Sequence, residues 1–157
     1  MIKQNNMQLS KNVSLAEFCQ SNTATAKGID NTIKDPVHLE NAKRWAENVF
    51  QPIREHFGKA IKINSGYRSK NLNKAIPGSS STSQHCFGEA GDLNLQDRDL
   101  FEWIIDNVTF DQMIFEGGTE DKAEWFHISY REGRNRKEVL RMVKIAGKPK
   151  YLPYKKK

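Results

Sequence analysis

Two histidines, an aspartate and a glutamate stand at spacings that could build a metal site. His85 and Asp92 are seven residues apart, and two small residues directly precede the aspartate. A second cluster, which contains Glu124 and His127, begins an apolar and aromatic run later in the chain. Catalytic zinc sites use three protein ligands, leave the fourth position to water, and place a proton-carrying carboxylate nearby. The pattern therefore indicates a catalytic zinc site.

Each of these residues also has an ordinary interpretation. His85 could be a plain loop histidine, Asp92 a turn aspartate, and His127 a histidine that faces the core. On an extended strand, Trp125 and His127 share one face, whereas Glu124 has the opposite parity. Spacing therefore favours His127 as a ligand on a rigid strand, but it does not by itself assign Glu124.

The elements that would position these residues follow from hydrophobic periodicity and from capping signals. Apolar residues from Val37 to Phe57 recur at helical spacing, with a kink or a break predicted at Pro52 and an end at Gly58. Residues 21–36 are predicted to form an ordered loop. Shorter helices are predicted at 15–19, at 69–75 and from 97 onward, and strands at 60–64, 92–95, 112–116, 125–130 and 140–145.

Helices come early in the chain and strands come late, with one helix between them. This order predicts an α+β fold in which helices pack on a small, mostly antiparallel sheet, with the zinc site on the sheet face. A length of 157 residues suits one domain with a real core. We assign that domain to residues 9–146 and treat residues 1–8 and 147–157 as terminal extensions.

Composition and charge exclude several classes of protein. The net charge of +6 comes largely from a basic C-terminal tail, and no basic stripe interleaved with aromatic residues predicts nucleic-acid binding. Cys19 and Cys86 have no paired spacing, so a disulfide scaffold is excluded. The sequence has neither an apolar run long enough to span a membrane nor a secretory signal at its N-terminus.

Three ordered motifs carry a resemblance to a known family. They read SGYRS at 65–69, SxHxxGxAxD at 83–92 and EWxHxS at 124–129. Together they resemble the M15 family of zinc peptidases, which contains D-Ala-D-Ala carboxypeptidases, related dipeptidases and phage endolysins that cut L-alanyl-D-glutamate bonds. The phage-associated branch is the most similar. The likeness runs from about Leu9 to Ser129 and implies a fold like that of the D-Ala-D-Ala metallopeptidases.

The resemblance assigns a role to each matching position. His85, Asp92 and His127 match the three ligands of one Zn²⁺ ion. Glu124 matches the general base, which implies a bend in the chain before Trp125.

Four other residues are weaker or secondary candidates. Arg68 matches an arginine that steadies the charge developing on the scissile carbonyl. Ser83 and Gln112 match frequent positions near the family's site, and Tyr67 stands beside Arg68, so these three are candidates for substrate binding.

The resemblance implies zinc-dependent hydrolysis of a peptide bond in the stem peptides of peptidoglycan, with Glu124 assisting the attack of water. No residue decides between a carboxypeptidase and an L-alanyl-D-glutamate endopeptidase. The alternative is a catalytically silent zinc module that grips the cell wall, although an intact Glu124 argues against it. We expect a monomer, made in the cytoplasm and encoded by a phage or prophage, that reaches the wall after release or within a virion.

Overall fold

The structure is a computed structural model that describes residues 7–157. Residues 1–6, which make up most of the predicted extension 1–8, lie outside the described residues. Within residues 7–157, no helix is long and apolar enough to cross a membrane. The elements are, in order, β1 (Gln8–Ser10), β2 (Val13–Ser14), α1 (Leu15–Cys19), α2 (Asn22–Lys27), α3 (Pro36–Trp45), a π-helical turn (Ala46–Phe50), α4 (Gln51–Phe57), β3 (Ile63–Ser65), α5 (Lys70–Ala75), a 3₁₀ turn (Gln84–Phe87), β4 (Ala90–Leu93), α6 (Arg98–Asn107), β5 (Gln112–Glu116), β6 (Trp125–Ser129), β7 (Glu138–Ile145) and β8 (Lys148–Pro153).

In this described part of the chain, six strands form one sheet in the order β3-β4-β6-β5-β7-β8. Every neighbouring pair is antiparallel except β5 and β7, which run parallel. The predicted α+β class and mostly antiparallel sheet are therefore confirmed, whereas the predicted small size of the sheet is wrong. β8 adds a sixth strand, and it lies within the stretch predicted as a C-terminal extension.

The sequence of β8 lacks the usual signals of a β-strand. The segment contains two lysines and two prolines and shows no alternation of buried and exposed side chains. Proline and lysine are tolerated on an edge strand. One row of backbone groups on such a strand faces solvent and forms no hydrogen bonds to a neighbouring strand. β8 occupies such an edge, beside β7. Periodicity alone therefore indicates a tail where the chain forms a strand.

A π-helical turn interrupts the long predicted helix. α3 ends at Trp45, the backbone N–H of Gln51 bonds to the carbonyl of Ala46, and α4 continues from there. Pro52 has no N–H to donate, so the chain leaves regular α-helical bonding in the turn before it. α4 runs through Pro52 without a break, so the irregularity lies in the turn before the proline rather than at it, and Gly58 ends α4 at a φ of 73°.

The segment predicted as a loop contains a short helix. Ser21 precedes α2, and its Oγ accepts a hydrogen bond from the N–H of Ala24 at 3.2 Å. Gly28 follows the helix with a φ of 64°. Because α2 has no apolar stripe, its helical form depends on these two caps rather than on periodicity. The loop prediction for residues 21–36 is wrong in this part.

The core lies between the helices and one face of the sheet. Phe115 of β5 and Phe126 and Ile128 of β6 are fully buried there. Alternate residues of the same strands point to the other face, where they line a cleft. The indole Nε1 of Trp45 donates to the carbonyl of Ile128 at 3.0 Å. This bond ties α3 to β6, the strand that carries His127.

Candidate metal centre

The three side chains that the sequence predicted as metal ligands meet on the cleft face of the sheet. One ligand atom from each of His85, Asp92 and His127 lies within 4.8 Å of the others. Asp92 Oδ1 is 2.9 Å from His127 Nδ1, and Asp92 Oδ2 is 3.5 Å from His85 Nε2. The two oxygens of one carboxylate therefore face two imidazoles, and the cluster could hold a divalent cation.

Local structure orients His85. Ser83 caps the 3₁₀ turn, since its Oγ accepts a hydrogen bond from the N–H of His85 at 3.3 Å. His85 Nδ1 lies 2.7 Å from the carbonyl oxygen of Gly66. A carbonyl only accepts, so Nδ1 carries the proton and Nε2 turns its lone pair toward Asp92. Metal-binding histidines are usually oriented in this way, by a partner on the other ring nitrogen.

Strand pairing positions the other two groups. Asp92 of β4 and His127 of β6 stand directly opposite each other in an antiparallel ladder. A methyl group added at Gly91 would overlap the ring of Trp45, which packs against β4 from the core side. The glycine before Asp92 therefore serves helix packing on one face of the sheet, while the carboxylate faces the cleft on the other.

Burial and charge set the protonation of the cluster. Burial alone would raise the pKa of Asp92, but His85 and His127 hold it well below its usual range. Burial lowers the pKa of His85, although the Asp92 carboxylate opposes this shift. An ionised carboxylate beside a neutral imidazole is the form that binds a metal. The donor set fits zinc, which accepts imidazole nitrogen and carboxylate oxygen in catalytic sites.

Arg68 reaches the same carboxylate. Its Nη2 lies 3.6 Å from Asp92 Oδ2, and its Nε donates to Ser65 Oγ at 3.0 Å. Its backbone N–H donates to the carbonyl of His85 at 3.0 Å. The structure thus brings the predicted arginine beside the cluster, with its side chain largely buried and its guanidinium at the cleft.

Glu124 lies at a bend directly before β6, where the family resemblance implied one. Its side chain is exposed and lies beside Gly117, where an added Cβ would be 2.7 Å from Glu124 Oε2. Its backbone N–H donates to the carbonyl of Glu116 at 2.8 Å. Among residues 7–157, no hydrogen bond or ion pair connects the Glu124 carboxylate to the metal-binding cluster.

The weaker substrate-binding candidates divide between cleft and core. Ser83 and Gln112 line the cleft, and Gln112 Nε2 donates to Glu138 Oε1 at 2.6 Å. Tyr67 is buried in the core, with its ring centroid 6.4 Å from that of His38. The structure therefore places Ser83 and Gln112 in the cleft that contains the cluster, but it packs Tyr67 in the core.

The cluster lies in an open cleft with a volume of about 970 Å³. The middle of the cleft floor is β5, whose alternate residues Gln112, Ile114 and Glu116 face it. At the Gln112 end lie three arginines and the loop before the 3₁₀ turn. At the Glu116 end lie Lys144 and Tyr151. The cleft therefore continues along the strand direction on both sides of Ile114, which stands opposite His127.

Glu116 and Asp111 are buried carboxylates of this region that the sequence did not indicate as site residues. Burial raises the pKa of Glu116 to about 7, and the nearby Asp92 and Glu124 add to the rise. The sequence did contain one signal for Glu116. It lies four residues after Gln112 on the predicted strand, so the two side chains share one face of the sheet. Asp111 precedes β5 as an apparent turn residue, and nothing in the sequence indicated its partners.

Asp111 joins two segments that border the cleft. Arg136 donates to it through Nε at 2.9 Å and Nη2 at 3.0 Å, and Gln84 Nε2 donates at 3.0 Å. Burial would raise the pKa of Asp111, but the hydrogen bonds from Arg136 and Gln84 lower it overall. The carboxylate thus ties the turn before β7 to the 3₁₀ turn that carries His85.

Comparison with known protein families identifies a match. A family model described as Peptidase M15 matches residues 11–129, a range that contains the cluster, Arg68 and Glu124. A search of curated proteins finds no match to the chain.

Proposed function

Since this chain belongs to the peptidase M15 family, we propose that it is a zinc peptidase that hydrolyses a peptide bond in the stem peptides of peptidoglycan. The observation that carries this proposal is the convergence of His85, Asp92 and His127 within 4.8 Å of one another. They converge in a cleft of about 970 Å³, a size that accommodates a segment of peptide. The proposed substrate is therefore a peptide that lies along the strands.

His85, Asp92 and His127 would hold one Zn²⁺ ion through their ring nitrogens and a carboxylate oxygen. When bound, zinc supplies Lewis acidity, which lowers the pKa of water to about 7 and polarises a carbonyl. The Gly66 carbonyl fixes the tautomer of His85. The β4–β6 ladder fixes the separation of the other two groups, so the chain holds all three in place before substrate arrives.

Glu124 would move the proton of the reaction. Its carboxylate accepts a proton from the attacking water and passes it to the leaving amine. Within residues 7–157, no hydrogen bond holds this side chain beside Gly117, so rotation about its side-chain bonds can turn it toward the cleft.

Arg68 would face the oxygen on which negative charge develops. Ser65 and Asp92 hold its guanidinium in place in the free protein. A preorganised cation stabilises the transition state more than the ground state, because the carbonyl oxygen gains its charge only as the nucleophile adds.

We favour cleavage within the peptide over removal of a terminal residue. An endopeptidase needs room for substrate residues on both sides of the scissile bond, and the cleft continues on both sides of the cluster. The L-alanyl-D-glutamate bond is the candidate, because the motifs are most similar to the phage-associated branch of the family. A phage-encoded enzyme that reaches the cell wall after release or within a virion completes this proposal.

Digestion of purified peptidoglycan tests the proposal. The zinc-loaded protein is incubated with peptidoglycan, with and without a chelator, and the products are identified by mass spectrometry. We expect new L-alanine carboxyl ends and D-glutamate amino ends, loss of both with the chelator, and recovery on addition of zinc. Release of terminal D-alanine alone would establish a carboxypeptidase, and zinc-loaded protein that releases no product would refute the peptidase.

A catalytically silent zinc module that binds the cell wall is the second candidate. The position of the Glu124 side chain, exposed beside Gly117 and outside the cluster, favours it. Co-sedimentation with insoluble peptidoglycan, without release of any product from zinc-loaded protein, would identify this function.

A further inference from the structure

Glu116, the last residue of β5, is a buried carboxylate that faces the cleft without a partner. The residue is 7% exposed, and its side chain makes no hydrogen bond or ion pair among the described residues. Lys144 lines the same end of the cleft but is exposed and forms no ion pair with it within residues 7–157. An unpaired carboxylate is costly to bury. A cation that arrives with the substrate would therefore meet a carboxyl group that is free to pair with it.

Strand register places aromatic side chains beside this carboxylate. Glu116 stands opposite Trp125 on one side and Met142 on the other, and Met142 stands opposite Tyr151. All four residues line the cleft, and we call them the Glu116 rung. Neighbouring strands are about 4.8 Å apart, so the rung is a continuous strip across four strands. Tryptophan and tyrosine rings attract ammonium groups, and a carboxylate between them adds the opposite charge.

The Glu116 rung lies at a defined distance from the metal-binding cluster. Ile114 is two residues before Glu116 on β5 and stands opposite His127. Two residues of a strand span about 7 Å. A peptide residue spans at most about 3.6 Å, so the rung is level with a substrate residue about two positions from the scissile bond.

The opposite end of the cleft has the opposite charge. Arg131 forms an ion pair with Glu89, and Arg136 forms one with Asp111. Arg134 lines the same end, and its side chain has no ion pair among residues 7–157. This end repels an ammonium group and attracts a carboxylate. The charges of the cleft therefore define a direction in which a substrate with both groups can bind.

We propose that the Glu116 rung binds a primary ammonium group of the substrate and fixes the direction in which the peptide lies across the cluster. The side-chain amine of a diamino acid near the scissile bond has this chemistry, and so does a free amino terminus. The inference rests on the proposed function only in placing a peptide in the cleft. It assigns to Glu116, Trp125 and Tyr151 a role in substrate selection rather than in the chemical step.

Matched synthetic stem peptides test the proposal. One peptide carries lysine about two residues from the scissile bond, a second carries Nε-acetyl-lysine there, and a third has lysine but an acetylated amino terminus. kcat/KM is measured for each peptide with zinc-loaded wild type, Glu116→Gln and Glu120→Gln. We expect wild type to prefer a free ammonium by about tenfold or more, the scale of a charge-assisted hydrogen bond. The preference should fall toward one in Glu116→Gln and persist in Glu120→Gln, whose glutamate is exposed outside the cleft.

The pair of acetylated peptides identifies the source of the ammonium. A penalty for Nε-acetylation assigns the rung to a side chain, and a penalty for N-terminal acetylation assigns it to the amino terminus. A Glu116→Gln variant that keeps the wild-type preference overturns the proposal, as does a wild type that shows no preference. Tyr151→Leu, at the half-exposed end of the rung, should also reduce the preference, and it provides a second variant if Glu116→Gln does not fold.

A binding measurement separates this proposal from the proposed function. Calorimetric Kd values for the same peptides are measured on Glu124→Gln protein and on the Glu124→Gln, Glu116→Gln double variant. A zinc-loaded wild type that cuts nothing, together with Glu124→Gln protein that binds the lysine peptide more tightly in a manner that depends on Glu116, refutes the peptidase and retains the ammonium site. Turnover without any ammonium preference retains the peptidase and refutes the site.

Discussion

Asp92 is the residue that unites the candidate metal centre, because its carboxylate faces both histidines and the guanidinium of Arg68. The distances are 2.9 Å to His127, 3.5 Å to His85 and 3.6 Å to Arg68. Its depressed pKa keeps it ionised over the physiological range. One anion thus aligns three groups that would not otherwise attract one another. Each of these groups can be replaced separately to measure its contribution.

Glu124→Gln should abolish most turnover while leaving the metal in place. The amide keeps the size of the side chain but cannot accept the proton of water, and loss of one such group typically lowers the rate by about 10²–10³. Rates on peptidoglycan, zinc content and thermal unfolding are measured in parallel. Near-wild-type turnover with normal zinc content would assign the general base to another residue.

His127→Ala should lower zinc occupancy. His127 belongs to the three-residue cluster, and loss of a ligand should reduce zinc affinity by more than the roughly 10–100-fold typical of a supporting group. Zinc is measured after dialysis against a weak chelator. His56→Ala is the matched control, because His56 stacks on Trp103 at a centroid distance of 3.6 Å and is not part of the cluster. Full occupancy in His127→Ala would remove this residue from the ligand set.

The convergence of His85, Asp92 and His127 was foreseeable from the sequence. The roles of the residues that surround them were only partly foreseeable. The family motifs assigned the three ligand positions, and the spacing of these positions supported the assignment. The importance of Glu116 depends on its neighbours across β6 and β7. Cross-strand neighbours are set by register, which a single strand sequence does not contain.

At the level of elements, the position of the metal-binding cluster depends on how α3 packs against β4 and β6. Trp45 contacts both strands: its ring fills the space above Gly91, and its Nε1 bonds to the carbonyl of Ile128 at 3.0 Å. Asp92 and His127 are the sequence neighbours of these two contact points. A shift of α3 would therefore be transmitted to the metal-binding groups.

Gly91→Ala should destabilise the protein by about 1–3 kcal/mol, because the new methyl group overlaps the Trp45 ring. It should also weaken zinc binding, since β4 must move and carries Asp92 with it. Denaturant unfolding and zinc titration measure the two effects. Trp45→Phe removes part of the obstructing ring, so the cost of Gly91→Ala should shrink in that background. An equal cost in both backgrounds would contradict this account.

Asp111→Asn should destabilise the protein in a pH-dependent way. The folded-state pKa of Asp111 is lowered, so its contribution to stability is present above its ordinary pKa of about 4 and is lost as pH falls through the lower folded value. We expect the free energy of unfolding to fall by about 1–3 kcal/mol at pH 7. This range already allows for solvent screening of the ion pair, because Arg136 is half exposed. Unfolding curves of wild type and variant should converge as the pH falls through the lowered folded-state pKa of Asp111. A cost that stays constant with pH would show that the charge is not involved.

Several elements were predictable, and two that were not share a physical cause. The long helix, the π-helical turn before Pro52 and strand β5 follow from periodicity and proline chemistry. α2 and β8 do not, because neither has an apolar face. Caps hold α2 and tertiary pairing holds β8, so their formation depends on contacts rather than on pattern.

At the scale of the whole molecule, the C-terminal segment closes the core. The ring of Tyr154 lies 4.8 Å from that of Phe101 and 6.0 Å from that of Phe115, and its hydroxyl donates to Glu102 at 3.2 Å. β8 pairs along β7, so these residues complete both the sheet and the helix–sheet interface.

Tyr154→Ala should therefore lower the free energy of unfolding by about 2–3 kcal/mol, since a large ring leaves the aromatic cluster. Tyr154→Phe is the control and should cost no more than about 1 kcal/mol, because only the hydrogen bond to Glu102 is lost. Both values come from denaturant unfolding. A Tyr154→Ala variant as stable as wild type would mean that residues 147–157 are a dispensable extension.

The alternation of side chains along β5 also limits how this protein can change its preferences. A one-residue insertion or deletion in the strand would turn Glu116 toward the phenylalanines of the core and bring a phenylalanine to the surface. Such a change would damage folding long before it could create a new selectivity. The spacing between the recognition strip and the zinc-binding groups can therefore evolve, or be engineered, only in increments of two residues, about 7 Å each. Substrates that differ by less than this distance must be accommodated by side-chain substitutions, while the length of the strand stays the same.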